Sequence, residues 1–322
     1  MSEPTLPAGP VALVFPGQGS QFVGMGGALA AASPAARATL EQADSILDVP
    51  LREIMANGPA ETLEDTLNAQ PAILAVSVAA HRALRERLDE LGLDLQAVVV
   101  AGHSLGEFSA LVVAGVLDYP TALSLVRQRG RLMKEAGTTA PGGMAAVLGL
   151  EDNAIASVCQ EAGATGIVVP ANRNCPGQIV ISGEVDALEQ AMSLAKDAGA
   201  KRVARLGVSI ASHSPLMATA NQAFNRVLDS LQLNDPAMPV IGNVTAKPLT
   251  TASEIDQELR QQMERPVDWT GTIETMSASG IRMFVELGPG AVLSGLIKRI
   301  DRQATTVGLA GLGLELPDST GK

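Results

Sequence analysis

The sequence predicts an α/β protein, a discontinuous large domain with a small domain inserted into it. Three observations lead there. First, an apolar β-branched run (Val98, Val99, Val100) passes through a Gly-x-Ser-x-Gly turn, Gly102 to Gly106, straight into an apolar helix-compatible stretch. Strands alternating with helices in this way build layered α/β sheets. Second, residues 144–206 read strand and helix in the order βαββαβ, the ferredoxin-like split unit. Third, 322 residues exceed what one hydrophobic core normally organises.

Residues 1–10 are Pro-rich and read as a mobile leader. Residues 11–15, VALVF, read as a strand that runs into the loop Pro16-Gly17-Gln18-Gly19-Ser20-Gln21. Helical spacing of apolar residues marks 40–47 and 71–91, the second carrying Ile73, Leu74, Val76, Val78, Leu84 and Leu88. Strand 98–101 and the helix after the glycine turn come next, then a helix over 121–136. A Gly- and Pro-rich break at 137–143 opens the small domain. Within it, 144–149 is a strand, 151–162 a helix, 167–172 and 178–182 strands joined by a polar loop, 185–198 a helix and 201–206 a strand. The chain then returns to the large domain through helices at 221–231, 254–263 and 272–279, a strand at 283–286 and a helix at 292–300. The expected domains are therefore 11–137 with 207–308, and 138–206. Residues 1–10 and 309–322 read as mobile tails.

Composition narrows the function. Apolar residues are 46% of the chain but aromatics only 2%, so Leu, Val, Ile, Ala and Met must fill the core. A net charge of −11 argues against nucleic acid or an anionic membrane as partner. Cys159 reads as a small core residue and Cys175 as part of a Pro/Gly loop; neither belongs to a disulfide framework or a metal spacing. No basic-then-apolar leader and no run of 18 apolar residues occurs. The expectation is a soluble, cytoplasmic, monomeric protein without a metal or other cofactor.

The glycine turn carries the chemistry. A strand-to-helix turn this tight leaves no room for side chains beside Ser104 and projects its hydroxyl at a helix N-terminus, where N–H groups and the dipole favour a developing oxyanion. Gly-x-Ser-x-Gly also arises by chance, but the strand before it and the helix after it mark this one as a nucleophile elbow. The N–H of Leu105, next in the chain, suits an oxyanion for the same reason. A serine nucleophile needs a base, and the chain has three histidines. His103 adjoins Ser104, and neighbouring side chains diverge on such a turn, so its ring is expected to pack or hydrogen-bond beside the pocket. His81 lies mid-helix beside Arg82 and reads as structural. His213, in the loop Ser209-Ile210-Ala211-Ser212-His213-Ser214-Pro215, remains as the base. Serine before histidine in chain order fits an α/β-hydrolase-like large domain.

Further motifs recur in a specific order: Phe15-Pro16-Gly17-Gln18-Gly19-Ser20-Gln21, Gly102-His103-Ser104-Leu105-Gly106-Glu107, Arg127-Gln128-Arg129-Gly130, Gly143-Met144-Ala145-Ala146-Val147, Asn172-Arg173-Asn174, Ser212-His213-Ser214-Pro215-Leu216-Met217, Pro266-Val267-Asp268-Trp269 and Glu286-Leu287-Gly288-Pro289-Gly290. From about residue 11 to about 302 the chain resembles the free-standing malonyl-CoA:acyl carrier protein transacylases. The resemblance implies transfer of malonyl from a coenzyme A thioester to the phosphopantetheine thiol of an acyl carrier protein, through a malonyl-serine, in fatty acid synthesis. It implies Ser104 as nucleophile, His213 as base, and the main-chain carbonyl of Gln262 orienting His213. The N–H groups of Gln18 and Leu105 would form the oxyanion hole, with His103 and Gln18 beside the substrate. Arg129 would clamp the malonyl carboxylate; spacing alone does not separate it from Arg127 or Arg131, and only the resemblance selects it. Two other readings share the elbow. One is a serine hydrolase or esterase, its base oriented by Asp229, Asp235 or Asp256. The other is a trans-acting acyltransferase serving a polyketide carrier protein. For docking an acidic carrier, the basic clusters are Lys201, Arg202 and Arg205, and Lys298, Arg299 and Arg302.

Overall fold

The computed structural model describes residues 9–308; the rest of both expected tails, 1–8 and 309–322, lies outside the described residues. The strands are β1 (Val11–Phe15), β2 (Ala97–Gly102), β3 (Gly142–Leu148), β4 (Val168–Cys175), β5 (Gln178–Glu184), β6 (Arg202–Arg205), β7 (Val240–Ile241), β8 (Pro248–Leu249), β9 (Val267–Asp268), β10 (Met283–Glu286) and β11 (Thr305–Gly308). Six of them form one sheet in the order β11-β10-β1-β2-β7-β8, parallel except for the β7–β8 pair.

The large sheet is covered on both faces, which is why its central strands read as unbroken apolar runs. In β1, Val11, Leu13 and Phe15 enter a core shared with the helices Thr66–Leu91, Gly106–Val113 and Tyr119–Thr139. Ala12 and Val14 point the other way, toward the helices Trp269–Ala278 and Val292–Ile300. The sheet thereby delivers the C-terminal end of β2, with Ser104 just beyond it, between the layers.

The second sheet runs β6-β3-β5-β4-β9. Its first four strands pair antiparallel in the ferredoxin-like order. The helices Asp152–Ala162 and Val185–Asp197 pack on it around a core that includes Ile155, Ile181 and Leu188. The fold class is thus the expected one, α/β with an inserted ferredoxin-like unit. One strand of this sheet was not anticipated: β9 comes from the large domain and pairs parallel with β4, Asn172 opposite Val267 and Arg173 opposite Asp268. Arg173 reinforces the seam with an ion pair to Asp268 at 3.1 Å, and within its own unit pairs with Asp152 at 2.5 Å.

Several local expectations need correction. The strand expected to stop at 172 runs on as β4 through two register irregularities, so Cys175 is a buried strand end and not a loop residue. The helix expected from Pro71 begins at Thr66, with the Asp65 carboxylate accepting from Leu67 N at 3.0 Å. Pro71 cannot donate to Leu67 O; Arg127 Nη1 does so at 3.5 Å. The helices Gly27–Ala32, Leu51–Asn57 and Ala60–Glu64 and the short strands β7, β8 and β11 carry too few residues for periodicity to reveal them.

Candidate active site

Ser104 sits at φ 50°, a left-handed conformation that side chains rarely adopt. The flanking glycines make it possible. A Cβ on Gly102 would lie 1.9 Å from the carbonyl carbon of Gly106, and one on Gly106 would lie 2.0 Å from Phe15 O. Asn243, in the turn after β7, grips the elbow on both sides: its Oδ1 accepts from Ser104 N at 2.6 Å and its Nδ2 donates to Gly102 O at 2.8 Å.

His213 Nε2 lies 2.8 Å from Ser104 Oγ. The other ring nitrogen, Nδ1, lies 2.8 Å from Gln262 O and 3.1 Å from Arg265 O. Carbonyls only accept, so the proton resides on Nδ1 and the Nε2 lone pair faces the serine hydroxyl. Burial, helped by the charge of Arg129, pushes the His213 pKa down to about 3. The ring is therefore neutral at pH 7, as a base must be. Asp229 and Asp256 pair with Arg260, and Asp235 accepts from Ala252 N. Instead of a carboxylate, two main-chain carbonyls hold the histidine.

Arg129 is 1% exposed. Its Nη1 donates to Gln70 Oε1 and its Nη2 to Gln262 Oε1, both at 2.9 Å, and Nη2 lies 3.4 Å from Ser104 Oγ. Its Nε has no partner among the described residues. Burial lowers its pKa only to about 10, so it stays a cation at pH 7. The neighbouring arginines face elsewhere: Arg127 reaches Leu67 O, and Arg131 pairs with exposed Glu135. Tertiary packing thus separates three residues that spacing could not.

Leu105 and Gln18 line the same cleft, and among the described residues neither main-chain N–H has a hydrogen-bond partner. The Gln18 side chain is tied back, its Oε1 accepting from Thr66 Oγ1 at 3.0 Å. His103 also lines the cleft, its Nε2 2.8 Å from Asn174 Oδ1 and its ring 5.7 Å from that of Trp269. The cleft, about 540 Å³, lies between the two sheets, with Met144, Asn174 and Val180 on one side and Gln18, Ser104 and Leu293 on the other.

Sequence reasoning missed the supporting residues. Gln70 and Asn243 carried no local signal, since they meet the site from 59 and 139 residues away. Glu107 was visible within the elbow motif, yet nothing in the sequence showed that it would be buried against Gln262. Among the described residues no cluster of His, Cys, Asp and Glu could hold a metal, and no helix is long and apolar enough to cross a membrane.

Fold and site together define an α/β protein of the acyl-transferring class. A sequence profile described as the acyl transferase domain matches residues 12–313, and the chain belongs to that family. It is 45% identical over 298 residues to the malonyl CoA-acyl carrier protein transacylase of Haemophilus influenzae, covering 92% of this chain and 94% of that protein. Against the Bacillus subtilis protein of the same name, identity is 43%, covering 93% of each chain. Among solved structures, an acyl carrier protein S-malonyltransferase from Vibrio cholerae superposes with a TM-score of 0.86 at 45% identity, covering 92% of this chain and 96% of that one. A malonyl-transacylase solved in complex with its type II polyketide acyl-carrier protein superposes with a TM-score of 0.90 at 41% identity, covering 96% and 99%.

Proposed function

We propose that this protein transfers the malonyl group of malonyl-CoA to the phosphopantetheine thiol of an acyl carrier protein by a ping-pong route through a malonyl ester on Ser104. The observation that carries the reading is Arg129: a buried guanidinium beside the nucleophile, hydrogen-bonded among the described residues only to neutral acceptors. A buried cation without an anionic partner is costly, and the free carboxylate of a malonyl group would satisfy it in a two-pronged pair.

In the first half-reaction Ser104 Oγ attacks the thioester carbonyl while His213 Nε2 takes the hydroxyl proton. The N–H groups of Leu105 and Gln18 hold the tetrahedral oxyanion. As the carbon–sulfur bond breaks, His213 returns its proton to the coenzyme A sulfur. In the second half the carrier thiol gives its proton to His213 and attacks the ester, and the serine oxygen leaves with that proton. Throughout, the carbonyls of Gln262 and Arg265 hold Nδ1–H and stabilise the transient imidazolium. The proposal includes a monomeric, cytoplasmic enzyme serving fatty acid synthesis.

The test is intact-mass detection of a malonyl adduct mapped to Ser104, followed by its transfer to a carrier thiol in preference to water. An adduct elsewhere, or one released mainly by hydrolysis, overturns the reading. The polyketide carrier of one structural relative makes a carrier of that kind the second acceptor to assay.

A further inference from the structure

Gln262 is the meeting point of the site, and its side-chain amide can face either of two ways. As found, Oε1 accepts from Arg129 Nη2 at 2.9 Å, and Nε2 donates to Glu107 Oε2 at 2.5 Å and to Ser104 O at 3.0 Å. A flipped amide would present N–H groups to the guanidinium, donor against donor. It would also set its oxygen against Ser104 O, so Arg129 on one side and Ser104 O with Glu107 on the other select the observed orientation together. Glu107 is 1% exposed, lies in the first turn of the helix behind the elbow, and touches no part of the cleft. Its second oxygen, Oε1, accepts from Asn243 N at 3.1 Å, and the side chain of that asparagine braces Ser104 N and Gly102 O.

We propose that Glu107 is a positioning residue for acyl-group selection: by accepting from Gln262 Nε2 it locks the amide that aims Arg129 at the malonyl carboxylate. This rests on the malonyl-transfer reading and goes beyond it, since it assigns specificity to a carboxyl group that meets neither substrate nor nucleophile. Both Glu107 oxygens receive an N–H, so the residue must offer two acceptors. A glutamine there offers one. The main-chain N–H of Asn243 cannot turn away, so Glu107→Gln sets an N–H against Gln262 Nε2 and loosens the amide that holds Arg129.

The test compares Glu107→Gln with wild type in malonyl and acetyl transfer to one carrier, with melting temperature recorded. The expected result is a folded variant whose malonyl-over-acetyl preference in kcat/KM drops about tenfold, through a raised KM for malonyl-CoA, as expected for one lost hydrogen bond to a charged group. Equal loss of both activities, or an unchanged preference, overturns the proposal. Wild type that loads no malonyl on Ser104 overturns both this inference and the function it rests on, whereas selective wild type with an indifferent Glu107→Gln removes this inference alone.

Discussion

His213 and Gln262 are joined twice over. Nδ1–H of the ring donates to the Gln262 carbonyl at 2.8 Å, and the side chain of that same residue receives the guanidinium that lies 3.4 Å from the nucleophile. His213 and Arg129, the base and the acyl-group clamp of the proposed reaction, therefore share one anchor. Because the His213 ring is held by a main-chain atom, substitutions at 262 should act first on Arg129 and on Ser104 O, which the side chain holds.

Ser104→Ala should abolish the acyl-enzyme, with a loss on the order of 10⁴-fold or more. His213→Ala should be nearly as damaging, and the double variant no worse than the more damaging single one, because the two act as a unit. Intact-mass spectrometry and single-turnover kinetics check this. A malonyl adduct on Ser104→Ala would remove the serine from its role.

Arg129→Ala should depress malonyl transfer by roughly 10²–10³-fold, the cost of leaving a buried carboxylate unpaired, while sparing or raising acetyl transfer. Arg129→Lys should recover only part of it, since an ammonium lacks the planar fork. Competition between malonyl-CoA and acetyl-CoA reads the ratio directly.

The acid limb of the rate profile should be missing above about pH 5 if His213 is the base, because burial pushes its pKa down to about 3. A fall in acylation centred near the ordinary histidine pKa of about 6.5 would contradict that. The same shift sets a sign for stability. Between the unfolded and folded pKa values the unfolded chain binds a proton that the native ring refuses. The contribution of His213 is thus fully present above the unfolded value and lost as pH falls toward 3. Thermal melts from pH 7 down to pH 4 test the direction.

Asn243→Ala should release the elbow. It leaves Ser104 N and Gly102 O unpaired behind the nucleophile, a cost of about 1–3 kcal/mol for each such group. We expect a lower melting temperature and a kcat reduced more than the KM for malonyl-CoA is raised. Unchanged kcat would show that the glycines alone hold the turn.

Carrier docking should depend on the cleft rim. β6, carrying Arg202 and Arg205, leads into Leu206 and Val208, while Lys298 and Arg299 follow Leu296 on the opposite side; Leu206, Val208 and Leu296 all line the cleft. Leu206 and Val292 stand 37% and 51% exposed at that mouth. Charge reversal at one cluster should raise the KM for the carrier several-fold at low salt, leaving that for malonyl-CoA nearly unchanged. The effect should fade with salt, as rim charges are screened beyond about 10 Å at 0.1 M. Carrier kinetics indifferent to both reversals would mean that docking is mainly apolar.

The sequence alone determined whatever local sterics and periodicity dictate. The α/β class, the βαββαβ insertion and the elbow at Ser104 each follow from a few adjacent residues. His213 followed because the chain offers only three histidines and the other two had local reasons to be excluded. Tertiary structure decided everything that depends on burial. Arg127, Arg129 and Arg131 share one helix, and only the partners Gln70 and Gln262, 59 and 133 residues away from Arg129, make it the buried one. Strand β9 exists because β4 offers it an edge. Asn243 and Glu107 gain their meaning from groups more than a hundred residues distant. A side chain's pattern along the chain reports which face it occupies. Its desolvation and its hydrogen-bond partners are set by what the rest of the chain packs against that face, and local pattern carries no record of that.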